Sequence, residues 1–475
     1  MVAPVVKEDH AMAMGKRKRE QDPPLFVSHE DLPRSQGHPF YRTLNDLLSA
    51  HNFDPWVEEA CQEFYAPVMG RPGLAPGIYF RCLMVGYFEG IGSERGIAWR
   101  CADSLSLRSF LGIALHEDVP DHSTLSRTRR LIDLETHHRV FTWVLKVLAV
   151  HGLISGKTAG IDATTLEANA ALRSIVRNDT GQGYQEFLTE LAKASGIDTP
   201  TREDLAKIDK ERKNKGSNDQ WHNPFDPDAK IAKMKDGTTH LAHKQEHAVD
   251  MGEGAVGAVL SVTVLPANEG DTTTYRDTLE EAFANVNEVR KDPVTAERVN
   301  AAGIQEVVED KGYHSNQTMV DLKEIGVRSY VAEPRRPEGQ RRNWEGKPAE
   351  QEAVYANRRR IKGRRGRRLM RKRGELIERA FAHELETGAM RRTHLRGHQN
   401  IKKRLLVHVA GFNLSLVMRK VLGRGTPRSF QGVGAALRAS LAPIGGSVAR
   451  LWRPETLVTA SSQAGRENWS VLAAA

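Results

Sequence analysis

The chain has 475 residues, enough for two or three domains and a sizeable buried core. Its 69 basic and 60 acidic residues give a net charge of +9 and a pI near 9.3, a modest excess that points to a polyanionic partner only where it is concentrated. Three cysteines, Cys61, Cys82 and Cys101, stand apart without CxxC spacing, which argues against a disulfide framework or zinc ribbon and for a reducing cytosol.

Residues 1–24 are polar, carry GKRKRE from Gly15 and end in Pro23 and Pro24. No apolar core follows the basic run, so they read as a disordered basic tail and not as a secretory signal. Residues 25–152 read as an all-α DNA-binding domain: Val140, Val144 and Leu148, with Phe141 and Leu145, recur at the spacing of one helix face. Within it, PDHSTLSRTRRLI offers Asp121 or Ser123 as an N-cap followed by Arg127, Arg129 and Arg130, the way a groove-reading helix begins. An ordinary capped surface helix has the same signature. The most apolar stretches, VFTWVLKVLAVHGLI from Val140 and LLVHVAGFNLSLVM from Leu405, are shorter than a membrane span and carry Lys146 or His408; no membrane partner is expected.

Residues 153–423 change character. A short strand, KTAGIDAT, precedes a polar, charge-mixed stretch over about 166–232 that reads as an insertion with its own helices. HLAHKQEHAVDMG and AVGAVLSVTVLPA then read as a hairpin joined at Gly252 and Gly254. A helix over Thr272 to Arg290, the strand IQEVVED, a helix over Gln317 to Ile325, the strand RSYVAEP and a long helix containing Glu378 follow. This order predicts an α/β fold, a mixed sheet flanked by helices. Residues 424–475, rich in Gly, Ala and Ser, read as a low-complexity C-terminal tail.

Three segments of this region, GIDATTLEAN, VVEDKGYHS and RGELIERAF, each place one carboxylate at the edge of an apolar run: Asp162, Asp310 and Glu378. A divided acid triad suits phosphodiester chemistry, in which two divalent cations roughly 3.5–4 Å apart face the attacking and leaving oxygens. Hard carboxylate oxygens suit Mg2+ or Mn2+. Each acid has a local competitor or a plainer role. Asp250 ends the first hairpin strand, but the apolar run before Asp310 and the KGY turn after it favour Asp310. On the long helix, at about 100° per residue, Glu378 falls at the edge of the apolar arc and Glu375 nearly opposite. A lone Asp at a strand end is otherwise most often a turn former.

GIDATTLEANA, KMKDGTTHLAHKQEHAVD, EDKGYHS and ELIERAFAHELETGAMRRTHLRG resemble, in this order, blocks of bacterial insertion-sequence transposases of the DDE class. PDHSTLSRTRR and its surroundings resemble the helical N-terminal domain that accompanies them, so the likeness runs from about Phe40 to Arg419. The resemblance implies a ribonuclease H-like catalytic domain with Asp162, Asp310 and Glu378 as catalytic ligands of two Mg2+ or Mn2+ ions. It implies a cytoplasmic, nucleoid-associated enzyme that binds double-stranded DNA at its element's terminal repeats, works as a homodimer in a synaptic complex, cleaves DNA and joins it to a target. A repurposed transposase that binds DNA without cutting it is the alternative. Many relatives carry an Arg four residues before the catalytic Glu and a Lys seven after it; here those positions are Gly374 and Leu385. Arg371 or Arg373 is left to supply a phosphate contact.

The basic excess is concentrated in RRRIKGRRGRRLMRKR, Arg358 to Arg373, with eleven Lys or Arg in sixteen residues. Charge runs are usually solvated faces, but this one is Arg-rich and leads into the Glu378 helix, so Arg358, Arg359, Arg360, Lys362, Arg364, Arg365, Arg367, Arg368, Arg371 and Arg373 are expected on DNA phosphates. RRTHLRGHQNIKKR, from Arg391, is a second basic segment. GEGAVG, from Gly252, fits GxGxxG but leads into a strand-like run instead of the helix a dinucleotide needs. His240, His243 and His247 have neither a nearby Cys nor an HExxH pattern and are read as flanking a strand, not as zinc ligands.

Overall fold

The computed structural model describes residues 28, 32–33, 35–66, 70, 73–212, 216–234, 237–335, 337 and 342–430. The chain divides into Met1–Gln36 and Gly37–Ala475, and the elements that follow belong to the second unit. The expected tail over residues 1–24, and all of the expected 424–475 tail beyond residue 430, lie outside the described residues.

Seven helices come first: α1 Pro39–Ala50, α2 Phe53–Cys61, α3 Pro76–Glu89, α4 Glu94–Ala102, α5 Leu105–Leu111, α6 His122–Leu131 and α7 Leu134–Val150. Their starts follow capping chemistry, a side-chain oxygen accepting from an otherwise orphaned N–H. Ser93 caps α4, Ser104 α5, Asp121 α6 and Asp133 α7. Asp121, not Ser123, is therefore the cap of the segment singled out in the sequence, and Ser123 donates to it at 2.9 Å. Apolar residues run all round α3, and every residue from Tyr79 to Phe88 is buried, Arg81 included; such a helix must be enclosed by others.

The sheet is organised around β1 Thr158–Glu167. The insertion follows as β2 Val176–Arg177, α8 Tyr184–Ala194, α9 Arg202–Glu211 and β3 Trp221–His222, packed in small clusters around Trp221 and around Leu188 and Leu205. Next come β4 Lys230–Lys233, β5 Thr239–Asp250, β6 Val259–Pro266, α10 Asp271–Lys291, β7 Glu306–Glu309, α11 Asn316–Glu324, β8 Arg328–Val331, α12 Pro348–Lys362, α13 Arg364–Ala382 and α14 His398–Leu422. β5 and β6 form the expected antiparallel hairpin. Strand order is β4-β5-β1-β7-β8, with β6 also on β5; β1 runs antiparallel to β5 and parallel to β7, which is parallel to β8. This mixed sheet flanked by helices is compatible with a ribonuclease H-like fold.

The region expected as an all-α domain over 25–152 is helical from Pro39 to Val150 and shares its apolar core with the sheet. One apolar cluster runs from Phe40 through the sheet to Met418, and α14 packs against α7, α3 and β6 together. That same helix, over His398–Phe430, is long and apolar enough to cross a membrane by length and composition, as the core helix of a folded protein also is. It is a central helix here, with Ile401 and every residue from Lys403 to Met418 buried.

Candidate active site

Asp162 sits in the middle of β1, opposite His247 of β5 and just past the end of the β7 pairing; Asp310 follows the last residue of β7 and caps the short 3-10 turn Lys311–Tyr313, its Oδ1 accepting from Gly312 N–H at 2.7 Å. β1 and β7 pair in parallel through Gly160 and Val308, and each aspartate lies two residues beyond that pair, so strand alternation directs both to one face. That face is covered by α13. Gly160 permits the close approach: a Cβ there would run into the Met251 sulfur and the Ile377 side chain. Next to the same turn, a Cβ on Gly312 would strike the carboxylate of Asp271, whose other oxygen accepts from Lys244 Nζ at 2.6 Å.

The two aspartates share one cation. Arg373 Nη2 lies 2.7 Å from Asp162 Oδ2 and 3.9 Å from Asp310 Oδ2. Sequence reasoning assigned Arg373 to a phosphate contact; the structure gives it these carboxylates. The clue available in the sequence was its position on the acid-bearing helix, five residues before Glu378. Glu378 lies further along α13, exposed, with its carboxylate over Gly374. The structure thus brings Asp162 and Asp310 together and carries Glu378 on the helix that crosses them. Among the described residues no three His, Cys, Asp or Glu side chains stand close enough to hold a metal ion. Asp162 and Asp310 supply hard carboxylate oxygens of the kind a divalent cation takes, with the Arg373 guanidinium in the place of a cation between them.

The competing acids have other employment. Asp250 is wholly buried and accepts from the backbone N–H groups of Ser155 at 2.5 Å and Gly252 at 3.1 Å; burial nonetheless raises its carboxyl above the usual range. Glu375 is exposed and 3.9 Å from Arg379. Glu309, next to Asp310 but on the other face, is buried with neither carboxyl oxygen hydrogen-bonded; burial first, then Glu246 and Asp310, push it well up. His243 meets Asp226 at 3.2 Å, and His247 lies 3.4 Å from buried Glu384 and stacks on Phe381. Burial drives His247 down to about 3, so it is neutral at pH 7.

The basic run splits into two sets. Arg358 grips Glu333 at 2.6 and 2.7 Å, Arg360 reaches Ser329, and Arg365 holds the buried Glu306. Arg358, Arg360 and Arg373 are half-buried, and Arg365 is tied to Glu306 although its side chain is 42% exposed; Arg359, Lys362, Arg364, Arg367, Arg368 and Arg371 are exposed. The last four recur at three- and four-residue spacing and therefore line one face of α13. On α6, Arg129 is buried against Glu94 at 2.8 Å, while Arg127 and Arg130 remain exposed. In the second basic segment Lys403 and Arg404 are likewise buried, donating to backbone carbonyls of Ile132 and Leu83. Trp344 and Tyr355 lie together, 5.9 Å between rings, each under an arginine.

Comparison with known families bears on this arrangement at both ends of the chain. Residues 27–131 match a family described as a transposase domain (DUF772), and residues 334–418, which include α13 and Glu378, match a transposase DDE domain. No curated protein matches the chain. The match to a DDE domain suggests a DNA-processing α/β enzyme. The two matches, in the order the sequence blocks require, support an insertion-sequence DDE transposase.

Proposed function

We propose that the protein binds the ends of its own mobile element, cleaves the DNA there and transfers the freed 3′ ends to a target. The observation that carries this reading is the convergence of Asp162 and Asp310, from adjacent parallel strands, on a single cationic group beneath the helix that bears Glu378. In the proposal Asp162, Asp310 and Glu378 hold Mg2+ or Mn2+, which when bound stabilises the charge developing on the attacking and leaving oxygens. Arg373 pairs with the two aspartates and keeps them aligned until they are used. The exposed arginines of α13 lie along the helix that leads to the site and hold the DNA backbone beside it, with Arg127 and Arg130 of α6 gripping a second stretch. Pairing of two element ends calls for at least two copies of the chain.

A plasmid carrying the element's ends, incubated with the protein and Mg2+, tests the proposal. Joined products with wild type, and none with Asp162→Ala although the variant still binds the ends, are expected. Cleaved but never joined products would reduce the reading to a nuclease. Binding without cleavage by wild type would favour a transposase-derived DNA-binding protein.

A further inference from the structure

Trp99 is the most solvent-exposed of the large apolar side chains among the described residues, at 66%. An indole combines a large apolar face with one N–H donor, and in most proteins it is largely covered. Phe225, nearly as exposed, lies under the guanidinium of Arg396 at 5.6 Å; among the described residues no ring or guanidinium covers Trp99. The exposure is built into α4, which buries Ile97, Ala98 and Cys101 and so directs Trp99, together with Arg95 one turn earlier, to the opposite face.

The surroundings are basic. Glu94 ties α4 to Arg129 of α6, and Arg95 Nη2 comes 3.5 Å from His122 Nε2 at the start of α6. These contacts set α4 beside the capped end of α6 and leave Arg127 and Arg130 exposed. Two acids of this junction are occupied, Glu94 by Arg129 and Glu89 by Arg100 at 2.9 Å and by the Tyr41 hydroxyl at 2.6 Å; Asp103, which ends α4 one turn after Trp99, is exposed. An uncovered aromatic with exposed cations around it matches a partner that offers both phosphates and flat π-faces. A nucleic acid offers both, whereas a second protein surface would have to bring its own acids.

We infer that Trp99 stacks on a base opened from the DNA duplex while Arg95, Arg127 and Arg130 hold the flanking phosphates, making α4 the element that distorts the element end. The inference rests on the proposed function for its partner but adds a residue, a contact and a deformation to it. Aromatic stacking tolerates any base, so Trp99 contributes affinity wherever the duplex opens readily, which is how an unpaired or weakly stacked step becomes preferred.

The full chain, bound to a labelled duplex of the element's terminal sequence with 2-aminopurine placed at successive positions, tests it. Wild type should raise the fluorescence at one or two adjacent positions. Trp99→Ala should abolish that rise and weaken binding by about tenfold or more, while the dependence of affinity on salt stays the same. Trp99→Phe should restore most of both. Arg127→Ala is the control for phosphate contact: it should lower the salt slope by about one without moving the fluorescence. Equal binding by Trp99→Ala, or a fluorescence rise it leaves intact, would overturn the inference. So would a Trp99→Ala protein whose only change, by sedimentation, is loss of self-association, since that would make the face a contact between copies. Cleavage measured in the same samples separates the two readings, because wild type that cuts the ends without opening a base sinks only this one.

Discussion

A guanidinium 2.7 Å from Asp162 and 3.9 Å from Asp310 neutralises carboxylates that would otherwise repel across adjacent strands, and in the proposed function it stands where a divalent ion would compete. Removing it should therefore help the metal. Arg373→Ala is expected to bind Mn2+ about tenfold more tightly in calorimetric titration, the equivalent of one charge-assisted hydrogen bond; unchanged or weaker binding would mean that Arg373 organises the aspartates without competing for them. The buried acid Glu384 gives a test of a different kind. Burial holds its carboxyl well above the usual range, with a hydrogen bond from Gln245 acting the other way. The folded state thus keeps a proton that the unfolded chain releases above about pH 4.5, so this group's contribution falls as pH rises from there toward the folded value. Glu384→Gln should show a stability advantage over wild type that grows between pH 5 and pH 8 in urea unfolding. The sequence singled out Asp162 and Asp310 because each stands at the edge of an apolar run, Asp310 before a turn; Arg373 was not legible, because which basic side chain of a run turns inward depends on helix phase against a sheet that the run itself does not encode.

α13 carries opposite chemistry on its two sides, and its elements make separable predictions. Its inner side sits on β1 through Gly160, where any side chain meets Met251 and Ile377. Gly160→Ala should cost about 1–3 kcal/mol of stability by overpacking and should disturb the Arg373–Asp162 pair, so denaturant midpoint and DNA cleavage should fall together. On the outer side, replacing Arg364, Arg367 and Arg371 by Ala should lower the salt slope of DNA binding by about one for each phosphate left without its arginine, with the thermal midpoint unmoved. Arg365→Ala should behave in the reverse way, because it strands Glu306, which is 1% exposed, without its partner. The strand and helix order of this region was readable from alternation, the Gly252 and Gly254 turn and the apolar runs, and the observed elements begin and end close to the expected ones. What the pattern hid was the division of the Arg358 to Arg373 run into clamps and exposed cations.

At the scale of the molecule, α14 is the element that makes one body of two expected domains: it is buried along most of its length against α3, α7 and β6. A helix apolar all round reads in sequence as a core or membrane helix without naming its neighbours, so the sharing of its faces between the N-terminal helices and the sheet was not legible. Thermal unfolding of the full chain should accordingly give one cooperative transition for the body from Gly37 onward, and a fragment beginning at residue 153 should lack the near-ultraviolet signature of a packed core. Two separate transitions would restore the two-domain picture. The central claim, that strand-end acids beneath α13 cut DNA with a divalent ion, has its most direct test in cleavage of a labelled duplex carrying the element's ends, with Mg2+, Mn2+ or EDTA, by wild type beside Asp310→Ala. The account predicts metal-dependent 3′ nicking at the element boundary that falls in the variant by more than the roughly 100-fold typical of losing a mere outer-shell partner. Nicking that survives in Asp310→Ala, or tight salt-sensitive binding by wild type with no cleavage in either metal, would contradict it.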